Sequence, residues 1–320
     1  MMKRAVIKGI GGYLPEHILK NEDLDASLNT SDEWIKERTG IHQRHIAAEG
    51  QVTSDLGYEA ACRALDNAGM TAKDVDLIVV ATSTPDYTFP STATIIQERL
   101  GMRHGAAFDL QAVCSGFLYG VNVVSSMIQS GAAKTVLLIG AETFSRILDW
   151  EDRSTCVLFG DGAGAIIFQA EDTDNNGVLE CFMRSDGRYR EMLFVDGGPS
   201  KTQTVGKLRM LGNQVFKHAV TEIADAMQSC ADKAGIAVSE IDWFVPHQAN
   251  QRILNGVARR LKIEREQVVS TVALHANTSA ASVPLAMLSA VEDGRIKRGD
   301  LVMLEAFGGG FTWGAALLRY

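Results

Sequence analysis

The chain predicts an α/β fold built from two similar halves. Three observations carry this reading. Apolar runs of strand length alternate with stretches of helical periodicity. A helix–turn–strand segment recurs at a fixed offset of 166 residues, and a second matching pair follows it in the same order.

The first copy begins with a helical pattern from Tyr58 to Ala68, continues through Gly69-Met70 and Asp74-Val75-Asp76, and enters the strand Leu77-Ile78-Val79-Val80. Its counterpart runs helically from Val220 to Ala234, through Gly235-Ile236 and Glu240-Ile241-Asp242, into Trp243-Phe244-Val245. In the second pair, Ser130-Gly131 before Lys134-Thr135-Val136-Leu137-Leu138-Ile139-Gly140 matches Asp293-Gly294 before Asp300-Leu301-Val302-Met303-Leu304-Glu305. Between the pairs lies Ala106-Ala107-Phe108-Asp109-Leu110, another strand-length run. From Ser115 to about Ser130, Phe117, Leu118, Val121, Val124 and Met127 recur at helical spacing. We expect halves at 1–172 and 173–320, divided in the polar run Glu171-Asp172-Thr173-Asp174-Asn175-Asn176. Gly160-Asp161-Gly162-Ala163-Gly164 invites comparison with a phosphate loop. It lacks the strand–GxGxxG–helix order, and the apolar Ile166-Ile167-Phe168 behind it predicts a tight turn into a packed strand.

Composition excludes several classes. A net charge of −8 argues against a general nucleic-acid binder. No segment approaches the ~20 apolar residues of a membrane span, and no export signal is visible at the start. Five scattered cysteines form neither a disulfide framework nor a CxxC metal pair, so free thiols in a cytoplasmic protein are expected.

Cys114 stands where a buried strand hands over to a helix. A thiol there meets unpaired N–H groups and the positive end of the helix dipole, which favour thiolate. A packed, inert thiol fits the same position. The duplication adds partners. Cys114 lies 17 residues before Gly131 and Asn277 lies 17 before Gly294, so each opens a helix in its own half. Ala81 corresponds in the same way to His247. Packing of the halves about a pseudo-dyad brings Cys114, His247 and Asn277 together at strand C-termini, where α/β sheets hold ligands. Taken singly, His247 reads as an ordinary satisfied polar residue and Asn277 as a helix N-cap.

Gln111-Ala112-Val113-Cys114-Ser115-Gly116-Phe117, Pro246-His247-Gln248-Ala249-Asn250 and Asn277-Thr278-Ser279-Ala280-Ala281-Ser282-Val283-Pro284 resemble the three active-site blocks of the β-ketoacyl-acyl carrier protein synthase III family. The stretch from Glu305 to Gly314 and the stretches Thr30–Trp34 and Arg38–Ile41 are similar to two further family motifs. The resemblance covers essentially the whole chain in order. It implies a thiolase-like fold, two duplicated halves in an αβαβα five-layer arrangement, assembled as a homodimer. It also implies loading of an acyl-CoA primer, with acetyl-CoA first in expectation, on Cys114. Decarboxylative condensation with malonyl-acyl carrier protein follows, with no cofactor, metal or nucleic-acid partner.

The resemblance assigns enolate stabilisation to His247 and Asn277 and the acyl oxyanion to the backbone N–H groups of Cys114 and Gly309. It places coenzyme A against Trp34 and Arg153, with Arg38 near its phosphates and Thr30 in the same site. Phe89 is expected across the dimer interface at the end of the partner subunit's acyl pocket. Lys217, Arg252, Arg259 and Arg260 are expected to form the basic patch for the acidic carrier protein. Residue 276 is Ala where the family often has Gly, and His275 is expected to be structural. A starter condensing enzyme or acyltransferase of a secondary-metabolite pathway stands as the alternative. Thiolase proper needs a second cysteine near the C-terminus, and none follows Cys230. The elongating synthases have a second histidine where Asn277 stands.

Overall fold

The computed structural model describes residues 2–24 and 26–320. Strands β1 (Lys3–Tyr13), β2 (Leu77–Ala81), β3 (Ala106–Leu110), β4 (Thr135–Glu142) and β5 (Gly162–Asp172) form one mixed sheet in the order β1-β5-β4-β2-β3. Strands β6 (Gly177–Ser185), β7 (Trp243–Pro246), β8 (Leu301–Gly308) and β9 (Thr312–Arg319) form the second, in the order β7-β8-β9-β6.

The two sheets repeat one plan. In the first, β1 pairs antiparallel with β5, β5 antiparallel with β4, β4 parallel with β2, and β2 parallel with β3. In the second, β6 pairs antiparallel with β9, β9 antiparallel with β8, and β8 parallel with β7. The place of the fifth strand is taken by a lone parallel bridge between Phe244 and Val268.

The sheets bury both faces, and their central strands are accordingly continuous apolar runs rather than alternating ones. All eight residues of β4 and of β8 are buried. Helices α3 (Gly116–Gln129) and α6 (Ser282–Glu292) lie between the sheets. Their Phe117, Val121, Val124, Val283, Met287 and Ala290 fill the central core with Val79, Leu138, Leu304 and Ala316 of the strands. Each large side chain buried this way contributes about 1.5–3 kcal/mol. Helix α2 (Thr53–Ala68) covers the outer face of the first sheet, and α4 (Gly212–Ala234) covers that of the second. The result is the αβαβα five-layer order. Gly11 lets α2 approach closely, because a Cβ there would lie 2.3 Å from the Ala64 backbone nitrogen. Two more helices, α1 (Asp32–Thr39) and α5 (Gln251–Leu261), frame the mouth of a cavity between the layers.

The helix expected from Ser115 begins one residue later, after a tight turn over Val113–Ser115. Among the described residues no helix is long and apolar enough to cross a membrane, and no group of three His, Cys, Asp or Glu side chains can hold a metal ion.

Candidate active site

A cavity of about 360 Å³ is lined by Cys114, His247 and Asn277 together, with Phe159, Leu193 and Phe307 among its apolar walls. The three polar residues come from separate loops, and each loop is fixed by its own set of bonds.

The Cys114 loop is fastened to the second sheet. Thr312 Oγ1 donates to the Ala112 carbonyl at 3.0 Å, and Ser115 Oγ donates to the Thr312 carbonyl at 2.8 Å. Val113, just before the cysteine, has φ +50°, a left-handed conformation that costs a β-branched residue about 1–3 kcal/mol. Gly308 closes the other side, since a Cβ there would stand 2.8 Å from the Cys114 nitrogen. Backbone N–H groups at this turn are therefore approached by backbone alone.

His247 follows β7, and its N–H donates to the Glu305 carbonyl at 2.8 Å. The neighbouring Gln248 is fully buried and uses its whole amide. Its Nε2 donates to the Pro246 and Val269 carbonyls, and its Oε1 accepts from the Thr271 and Val272 N–H groups. Burial lowers the His247 pKa to about 3, so the ring is neutral at working pH.

Asn277 is clamped by the glycine-rich loop. Its N–H donates to the Leu158 carbonyl at 2.9 Å, and the Gly160 N–H donates to the Asn277 carbonyl at 3.0 Å. Asp161 holds that loop by accepting from Ala47 N, Ser145 N and Ser145 Oγ at 2.8, 2.8 and 2.6 Å. The loop does enter a packed strand, β5, and it also positions Asn277. Asn277 Oδ1 accepts from the Ser279 N–H at 2.9 Å, which leaves its NH2 group for the cavity. Ser279 Oγ donates to Oε1 of the wholly buried Glu142, whose Oε2 accepts from Thr84 Oγ1 at 2.6 Å. Burial raises the Glu142 carboxyl to about 7, against the pull of its Thr84, Ser83, Ser279 and Thr82 donors.

Ala276 adopts φ +57°, ψ −158°, a region that costs an L-residue about 1–3 kcal/mol. Glycine there would relieve that strain, lose about 0.5–1 kcal/mol of chain entropy and lose a buried methyl worth about 0.8 kcal/mol. These terms nearly cancel. Ala276→Gly is therefore expected to change unfolding free energy by less than about 1 kcal/mol, while Ala224→Gly in the buried face of α4 costs about 1.5–2 kcal/mol in the same urea titration. An equal loss at both sites would show that Ala276 is unstrained.

Burial works against the low-pKa thiolate expected at Cys114. Burial pushes the thiol up to about 12, and Glu142 adds to the rise; contact with the Ser279 hydroxyl and the Cys114 N–H oppose it. The helix end supplies a favourable field that opposes this loss of water. Iodoacetamide alkylation of Cys114, followed by mass spectrometry, is expected to accelerate steadily from about pH 7 past pH 9. A plateau near neutrality would mean that the helix field dominates.

At the mouth, the Trp34 ring is flanked by two guanidiniums, Arg38 at 4.6 Å and Arg153 at 5.2 Å from its centroid. Trp34 is half-buried and both arginines are exposed. Arg153 also donates to the Asn29 carbonyl at 2.6 Å. Thr30 does not line the cavity; it stands next to the Ser31 N-cap of α1, and its Oγ1 is buried. Arg252 on α5 lines the cavity, whereas Arg259 lies beyond it on the same helix and Lys217 is exposed on α4. Arg260 turns back to Asp225 of α4 at 3.2 Å, so part of its charge is already neutralised. Phe89 is 84% exposed, between β2 and the next helix, and does not line the cavity of its own chain. His275 is partly buried behind Asn277 and does not reach the cavity.

Residues 108–187 match the family model 3-oxoacyl-[acyl-carrier-protein] synthase III, and residues 231–320 match the model of its C-terminal part. The β-ketoacyl-[acyl-carrier-protein] synthase III of Caulobacter vibrioides is 59% identical over 320 residues, covering 99% of both chains. The crystal structure of the 3-oxoacyl-[acyl-carrier-protein] synthase III of Aquifex aeolicus superposes with a TM-score of 0.94 at 44% identity, over 99% of this chain and 100% of that one. The priming β-ketosynthase of the R1128 polyketide pathway also superposes at 0.94, with 31% identity over 99% of this chain and 96% of its own. The motifs, the repeated sheets and these likenesses agree, and the chain belongs to the β-ketoacyl-[acyl-carrier-protein] synthase III family of condensing enzymes.

Proposed function

We propose that the protein initiates type II fatty acid synthesis by condensing an acyl-CoA primer, acetyl-CoA first among candidates, with malonyl-acyl carrier protein. The observation that supports this best is the joint presence of Cys114, His247 and Asn277 in one cavity whose mouth carries Trp34 between two arginines. The identity of 59% to a β-ketoacyl synthase III, against 31% to a polyketide-priming enzyme, favours the fatty-acid role over the secondary-metabolite alternative.

In the first half-reaction Cys114 Sγ attacks the primer's thioester carbonyl. The proton of the thiol passes to the departing coenzyme A sulfur, and the acyl group remains on Sγ. The Cys114 and Gly309 N–H groups hold the oxyanion. In the second, the C–CO2 bond of the malonyl thioester breaks and leaves an enolate. His247 and Asn277 donate hydrogen bonds to its oxygen, and its carbon attacks the acyl-Cys114 carbonyl. The β-ketoacyl thioester leaves on the carrier protein, with CO2 released and Sγ expelled as a thiolate that takes up a proton from water. No cofactor enters either step.

Trp34, Arg38 and Arg153 bind coenzyme A in this reading. Arg252 leads the basic surface that receives the carrier protein, with Lys217 and Arg259 as outer contacts. The chain works as a cytoplasmic homodimer of subunits divided near residue 172, and Phe89 closes the partner subunit's acyl pocket. Incubation with labelled acetyl-CoA is expected to give a stably labelled protein. Adding malonyl-acyl carrier protein should then discharge the label with release of CO2. Discharge without CO2 would identify an acyltransferase instead.

A further inference from the structure

The neutral His247 ring can carry its proton on either nitrogen, and only one choice aims a donor into the cavity. Its Nδ1 lies 2.6 Å from Ser282 Oγ, with both residues buried. Ser282 opens helix α6 and belongs to the polar motif that begins at Asn277, 35 residues after His247 in the same half. Among the described residues Ser282 Oγ has one further partner, the Gln248 N–H, which points at it from 3.4 Å. That N–H can only donate, so it occupies a lone pair of the hydroxyl and leaves the hydroxyl's own proton unassigned.

Two arrangements follow. If Nδ1 carries the ring proton, it also donates to Ser282 Oγ; the hydroxyl then receives two donors and its own proton has no acceptor in a dry site. If Nδ1 is bare, the hydroxyl donates to it, and the remaining proton sits on Nε2 of a ring that lines the cavity rather than in the packed interior. Leaving a buried donor unpaired is strongly disfavoured. We propose that Ser282 is a positioning residue that locks His247 in the Nε2–H tautomer, so that the ring presents a fixed hydrogen-bond donor to the enolate oxygen. The proposal rests on the reading of His247 as that donor. It adds the group that selects the tautomer, as partners of histidine do at other catalytic and metal sites.

The test separates the half-reactions. Ser282→Ala is expected to lower CO2 release from malonyl-acyl carrier protein about tenfold or more. Acyl loading of Cys114, which relies on backbone donors, should change less than about threefold. Ser282→Thr, which keeps the hydroxyl, should restore most of the loss. A general disturbance of the fold would lower both half-reactions together and would overturn the proposal. In the unmodified protein, 15N-labelled histidine spectra, with His247 assigned by its disappearance in His247→Gln, should show a protonated Nε2 and an unprotonated Nδ1. A protonated Nδ1 would sink the idea without any variant being made. If His247→Ala abolishes CO2 release while Ser282→Ala leaves it intact, only the role of Ser282 fails. Should His247→Ala itself retain CO2 release, the underlying reading fails as well.

Discussion

Cys114→Ala is expected to remove covalent labelling by acyl-CoA altogether and to lower condensation by a factor on the order of 10⁴ or more. No other thiol can take over. Cys62, Cys156, Cys181 and Cys230 are free but none lines the cavity. Burial also pushes Cys156 up to about 11 and Cys230 up to about 12. Cys114→Ser should fare little better, because a hydroxyl is far harder to ionise than a thiol in the same dry pocket. The fold should survive either change. The side chain is small, and the turn is held by Thr312 and Ser115 rather than by the thiol. Intact-mass measurement after incubation with acetyl-CoA checks the result. One acyl group per chain on Cys114→Ala would place the nucleophile elsewhere.

The periodic elements and the duplication were legible because both are written locally. Strand-length apolar runs, helical spacing and the 166-residue offset need no knowledge of contacts. From them follows the convergence of Cys114 from the first half with His247 and Asn277 from the second. The sheets bear out the repeated plan down to the order of parallel and antiparallel pairs.

What escaped the sequence reading depends on distant contacts. Ser279 meets Glu142 across 137 positions, and Ser282 meets His247 across 35. Neither pairing has a local signature. Ser279 and Ser282 stood within a recognised motif, yet nothing in the motif says which hydroxyl faces which ring. The glycine-rich loop was read correctly as a turn into a strand. That its backbone grips Asn277 emerged only from the isolated bridge between Phe159 and Asn277. The burial that opposes a thiolate at Cys114 escaped for the same reason, since a helix terminus can be read in sequence but its dryness cannot. Arg260 on α5 met the opposite fate; its partner Asp225 sits on another helix, and spacing along one helix could not foresee it.

Asn277→Asp is expected to lower decarboxylation by about 10²–10³ while reducing acyl loading less than about tenfold. One oxygen of the introduced carboxyl keeps the bond from the Ser279 N–H that now reaches Oδ1. The other replaces the NH2 group that faces the cavity, turning a donor into a charged acceptor aimed at the enolate oxygen. In the proposed mechanism loading is spared because its oxyanion is held by the Cys114 and Gly309 N–H groups. The variant also carries a pH signature. Asn277 is 5% exposed, and the nearby Glu142 is raised to about 7 by burial, so the new carboxyl is expected to rise as well. Below its pKa it is neutral and can donate; above it the charge repels the enolate. CO2 release by the variant, measured as a ratio to loading, should therefore increase as pH falls from about 8 to 5.5, opposite to a simple loss of side-chain contact. If both half-reactions fall together and the ratio stays flat with pH, Asn277 acts on the fold of the site and not on the enolate.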